Sequence, residues 1–149
     1  MSRAPMHGLP DRWRPAALPH LRRPDGTAWL ALLADDNPIN REVGAALLQA
    51  LGLQVHTAPD GVEALRMAAA ARYDLVLMDV QMPHMDGYAA TRSLRAMPGL
   101  AGLPVIAVTA NSSTQSRDAC LAAGMNAFVT KPIDLRVLAD AVQRCLLPD

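Results

Sequence analysis

The sequence predicts an α/β domain with a parallel sheet and helices on both of its faces. Three observations carry that prediction. Short apolar runs alternate with stretches of helical spacing, five times over, from Trp29 onward. The first, third and fourth runs lack polar alternation, as strands do when helices cover both faces. The whole repeat fits in about 120 residues, the size of one doubly wound domain of (βα)5 plan.

The first run, Leu30–Ala34, stops at two adjacent carboxylates, Asp35 and Asp36. Asn37-Pro38 then reads as an N-cap and first-turn pair, and Gly52 closes the helix behind an apolar stripe of Ile39, Val43, Leu47 and Leu51. The second strand is expected over residues 54–57. Asp60 with Glu63 has the spacing of a capping box opening the second helix. The third strand, residues 75–78, delivers Asp79, and Asp86-Gly87 reads as turn and helix-start chemistry. The fourth strand, 105–108, delivers Thr109, and Thr109, Ser112 and Ser113 compete to cap the helix that follows. The fifth, 127–129, leads to Lys131. Leu135, Leu138, Val142 and Cys145 form the stripe of the last helix.

Residues 1–28 look different. They hold five prolines and no apolar periodicity, with five arginines against two aspartates. They are expected to form a basic linker or disordered tail, and residues 29–149 the domain. From Trp29 on, acids outnumber bases and no basic stripe with interleaved aromatics occurs, so no nucleic-acid partner is expected. The longest apolar run, Ala28 to Ala34, is too short to span a membrane, and the N-terminus lacks a signal-peptide core. Cys120 and Cys145 have no histidine at metal-ligand spacing and read as unpaired helix-packing residues of a cytoplasmic protein.

In open α/β sheets, ligands bind outside the carboxyl ends of the strands. Asp35, Asp36, Asp79, Thr109 and Lys131 are all expected at that one rim. Lys131 is the only lysine among the 14 basic residues, so a compact point charge stands where arginine is used everywhere else. Each residue also has a plainer reading. The Asp35-Asp36 pair could merely favour the positive end of the next helix, but Asp79 and Lys131 at the same rim argue for more. Three carboxylates together repel, and at least one pKa should rise. A divalent cation relieves that repulsion. His84 reads as an exposed loop residue, and Met78, Met82 and Met85 as filling.

The segments "DDNPIN", "DLVLMDVQMPHMDG", "VTAN" and "KP" closely resemble the receiver domain of two-component response regulators, above all the receivers of hybrid histidine kinases. The likeness runs over residues 29–147. It implies a flavodoxin-like fold with strand order 2-1-3-4-5. It implies that Asp79 accepts phosphate, that Asp35 and Asp36 hold Mg²⁺ with Asp79 and the backbone carbonyl of Gln81, and that Thr109 and Lys131 contact the phosphoryl oxygens. It implies a switch made by Thr109 and Phe128 that repositions the surface of the fourth helix, fifth strand and fifth helix, and a Lys131-Pro132 bond of the kind often cis. A histidine kinase or histidine phosphotransfer protein is the implied phosphodonor, and a monomer or a weak phosphorylation-linked dimer the implied state.

Such a receiver catalyses only its own phosphorylation and dephosphorylation. The rival readings are a receiver-like interaction module without phosphate turnover and an aspartyl-phosphate phosphatase. The second lacks its acid/base carboxylate, because Gln81 stands two residues after Asp79. Two departures from the family pattern are Pro59, where a polar residue is usual, and phenylalanine in place of the commoner tyrosine at 128. No output domain is in view after the fifth helix, so a signal is expected to leave through the domain's own surface.

Overall fold

The computed structural model describes residues 18–147. Five strands, β1 (Leu30–Ala34), β2 (Gln54–Ala58), β3 (Leu75–Asp79), β4 (Val105–Thr109) and β5 (Ala127–Thr130), alternate with five helices, α1 (Pro38–Ala50), α2 (Gly61–Ala70), α3 (Gly87–Arg95), α4 (Thr114–Ala123) and α5 (Leu135–Leu146). The strands are parallel in the order β2-β1-β3-β4-β5, as the family resemblance implied. Every residue of β3 and β4 is buried, because both sheet faces are covered. Alternate strand residues feed opposite cores. Leu33, Leu77 and Ile106 pack with Leu48 of α1 and Leu138 of α5. Leu32, Val76 and Ala107 pack with Ala64, Leu94 and Cys120 of α2, α3 and α4. Burying a Leu or Val side chain contributes about 1.5–3 kcal/mol, so these two layers account for most of the drive to fold.

Local chemistry sets the helix ends. The Asn37 side chain accepts from the Ile39 and Asn40 N–H groups, Pro38 occupies the first turn, and Gly52 closes the helix at φ +95°. At α2 only half of the expected capping box forms. Asp60 accepts from the Glu63 N–H, but the Glu63 carboxylate turns to Arg66 on its own helix. Ser113, not Thr109, caps α4. Cys120 is buried and Cys145 half-buried, both as free thiols.

Two expectations are corrected. The buried positions of α1 are Gly44 and Leu48, followed by Leu51, while Ile39 and Val43 are 69% and 52% exposed. A Cβ at Gly44 would stand 2.9 Å from Leu33 Cδ2, so the inward face is marked by a missing side chain that an apolar stripe cannot reveal. The second concerns the expected tail, of which residues 1–17 lie outside the described residues. Most of residues 18–28 are exposed, but the segment is anchored to the domain at two points: Leu21 is 4% exposed and its N–H donates to Leu51 O at 2.8 Å, and Arg23 pairs with Asp74.

Candidate functional site

The chain leaves β1 for β2 on one side and takes up β3 on the other, so the strand order reverses between β1 and β3. Ala34 lies opposite Met78 in register, and the next residue of each strand is a carboxylate, Asp35 and Asp79. Two hydrogen-bonded neighbours therefore raise acids side by side at the place where open sheets bind ligands. Thr109 ends β4 opposite Thr130, and the Lys131 N–H continues the ladder to Thr109 O at 2.8 Å.

Asp79 is 3% exposed and Asp35 4%; Asp36 is exposed. One oxygen from each of the three carboxylates lies within 4.8 Å of the others. Lys131 Nζ sits 3.0 Å from Asp79 Oδ2 and 3.7 Å from Asp35 Oδ2. The Gln81 backbone N–H donates to Asp79 Oδ1 at 3.1 Å, and the Asn37 N–H to Asp35 Oδ1 at 2.9 Å. Burial pushes the Asp79 carboxyl above its ordinary value and the Asp35 charge adds to the rise, while the Gln81 N–H and Lys131 pull it back. The repulsion read from the sequence is thus present, but burial is the larger cause.

Two candidates stand apart from this cluster. The Thr109 hydroxyl donates to Asn111 O at 3.2 Å and accepts from the Asn111 N–H at 3.0 Å, folded back on its own loop. Phe128, half-buried on β5, lies opposite Ala107, below the rim. The Lys131-Pro132 bond is cis, and His84 is exposed at φ +68°.

Two supports of the site escaped the sequence reading. A Cβ at Gly87 would meet Asp79 O at 2.3 Å and Val80 Cα at 2.8 Å, so α3 can start against the end of β3 only if that residue has no side chain. The pair Asp86-Gly87 was the available signal, but it spoke for a turn and not for a close approach. Arg41 donates to the Asp35 carbonyl at 2.8 Å, a backbone contact that no spacing rule reveals.

The sequence profile described as "Response regulator receiver domain" matches residues 31–143. The chain belongs to that family. Curated relatives of this receiver include the sensor histidine kinase RcsC of Escherichia coli K12, 45% identical over 76% of the chain. A gliding motility regulatory protein of Myxococcus xanthus is 39% identical over 88% of it. The chain spans only 12% and 17% of those proteins' lengths, so it corresponds to one domain of each.

Among solved structures, a receiver domain of a Pseudomonas aeruginosa sensor histidine kinase, with magnesium coordinated in its active-site cleft, is 42% identical with a TM-score of 0.75. The match covers 80% of this chain and 98% of that one. The chemotaxis protein CheY4 of Vibrio cholerae, 31% identical, gives 0.76 over 80% of this chain and 100% of its own. No helix among the described residues of this receiver is long and apolar enough to cross a membrane.

Proposed function

We propose that this receiver takes a phosphoryl group onto Asp79 from a histidine kinase or histidine phosphotransfer protein, in the cytoplasm and with Mg²⁺ as cofactor. The observation that carries the reading is Lys131 Nζ at 3.0 Å from an Asp79 carboxylate that two further acids surround. Asp35, Asp36 and Asp79, with the Gln81 backbone carbonyl, would hold the cation. The donor set fits, because it is all oxygen, charged, and too repulsive to be favourable empty. Mg²⁺ bound there supplies charge neutralisation that lets a carboxylate approach a phosphoryl group. The two unpaired thiols suit a reducing compartment.

The chain's own residues do the rest. An Asp79 oxygen attacks phosphorus, the bond from phosphorus to the donor nitrogen breaks, and an acyl phosphate forms. Such a transfer needs positioning and charge balance more than covalent assistance. The Gln81 N–H fixes the carboxylate plane. Lys131, already placed between Asp79 and Asp35, offers its ammonium to the incoming phosphoryl oxygens. Thr109 must release the Asn111 backbone before its hydroxyl can serve a phosphoryl oxygen, and that release is the first local consequence of phosphorylation. The printed name of one relative, a sensor histidine kinase, supports a donor of that class.

Intact-protein mass after incubation with acetyl phosphate and Mg²⁺ tests this. One phosphoryl adduct is expected, absent in Asp79→Asn and absent with a chelator. An adduct that persists in Asp79→Asn would reassign the nucleophile, and no adduct in folded wild-type protein, together with no response to beryllofluoride, would sink the reading.

A further inference from the structure

We propose that Arg117 is a latch on Phe128, a positioning residue that holds the ring against α4 and so sets how readily this domain leaves its resting conformation; the proposal rests on the phospho-accepting reading above. Arg117 is exposed, and among the described residues its guanidinium takes no ion pair and no side-chain hydrogen bond. It lies instead over the Phe128 ring, with Cζ 4.9 Å from the centroid, within the range of a cation–π contact. A tyrosine at 128 could be held by its hydroxyl. Phenylalanine has none, which leaves the guanidinium as the one directional partner of this ring among the described residues.

The placement of the pair gives the contact consequences. Phe128 packs in part against the core beneath α4 and also lines a groove of about 700 Å³ between α4 and α5, where Leu121 and Val137 stand exposed. The buried residues of α4, Cys120 and Ala123, lie towards its C-terminal end. Arg95 secures that end further by donating twice to Gly124 O. The N-terminal half has the Ser113 cap and the Arg117–ring contact. The contact thus ties the more weakly held half of α4 to the edge strand.

Ala107, the partner of Phe128 across the ladder, lies two residues before Thr109 and on the same sheet face. The ring already packs in part against the core to which the small Ala107 side chain belongs, and the family resemblance implies that it turns further towards that core when the Thr109 hydroxyl leaves Asn111 for the rim. A ring that turns into it loses Arg117. The latch therefore favours the outward state by the worth of an exposed cation–π contact, roughly two- to five-fold in the equilibrium.

The chain contains a single phenylalanine, so ring-¹³C-labelled phenylalanine reports Phe128 alone. The experiment titrates labelled wild type, Arg117→Gln and Arg117→Lys with beryllofluoride in the presence of Mg²⁺ and follows the ring signal to its end state. Apparent affinity scales with the population of the competent state, so Arg117→Gln should reach half-conversion at a two- to five-fold lower beryllofluoride concentration. Arg117→Lys, which keeps the charge, should stay nearer wild type. An unmoved midpoint in Arg117→Gln overturns the latch while leaving the phosphoryl site intact. Equal midpoints for Gln and Lys overturn it too, by assigning the effect to lost side-chain bulk. A wild-type ring that ignores beryllofluoride altogether overturns the reading of the site, and the latch falls with it.

Discussion

On the proposed phospho-accepting reading, Asp79 must be buried, charged and reactive at once, and those demands conflict. Burial raises its pKa, so the folded chain without metal holds its proton more tightly than the unfolded chain does. The stability from that proton is full below the ordinary value of 3.8 and is lost as pH rises through the raised folded value. Metal binding needs the ionised carboxylate, so its stabilisation runs the other way and grows with pH. At a hundred times its dissociation constant, Mg²⁺ would add about 2.7 kcal/mol. The gap between melting temperatures with Mg²⁺ and with chelator is therefore expected to be wide at neutral pH. It should narrow on acidification, beginning above 3.8, and shrink at every pH in Asp36→Asn. A gap indifferent to pH would mean that Asp79 is not among the ligands.

At the scale of elements, Arg95 decides where α4 ends. Its guanidinium donates to Leu100 O and Leu103 O at 3.1 and 2.7 Å, to Gly124 O at 3.0 and 2.8 Å, and to Asn126 Oδ1 at 2.9 Å. One side chain thus joins the end of α3, the loop into β4, the left-handed cap of α4 and the approach to β5. Arg95→Ala leaves three carbonyls without these donors, at a cost of roughly 2–4 kcal/mol in urea unfolding. Arg95→Lys should recover little of it, since an ammonium cannot reproduce the planar fork. Recovery by lysine would show that charge, not geometry, matters there. The same contrast explains what was legible. β1, β3 and β4 were readable nearly to the residue because full burial demands unbroken apolar runs. Arg95 was unreadable because its partners are mostly backbone carbonyls, which carry no side-chain signal.

Across the whole molecule, Asp35, Asp36, Asp79 and Lys131 were visible in the sequence because a charge at the end of an apolar run stands out, while Thr109 was visible only as the last residue of its strand. Gly87 was not, since it acts through a close backbone approach, and neither was the segment before Trp29, whose two anchoring side chains, Leu21 and Arg23, follow no periodic pattern. That segment now invites a test of its own. The Leu21 N–H donates to Leu51 O, and its side chain joins the core of α1 and α5. Asp74, just ahead of β3, accepts from Arg23 at 2.5 Å and from the Leu30 N–H at 2.8 Å. Both anchors lie where the strands begin, one strand length, roughly 17 Å, from the rim that carries Asp79. Truncating a buried leucine costs about 2–5 kcal/mol, and Leu21, near the edge of its core, belongs at the lower end. Leu21→Ala should lower the urea midpoint, and a chain beginning at Trp29 should lose at least as much. Asp74→Ala should cost more than Arg23→Ala, because only the former leaves the Leu30 N–H without its acceptor. Phosphoryl adduct formation on Asp79 should be unchanged in each variant while it stays folded. Equal stability of the truncated chain would return residues 18–28 to the role of a mere linker, and a lost adduct in a folded variant would show that the two ends of the sheet are coupled.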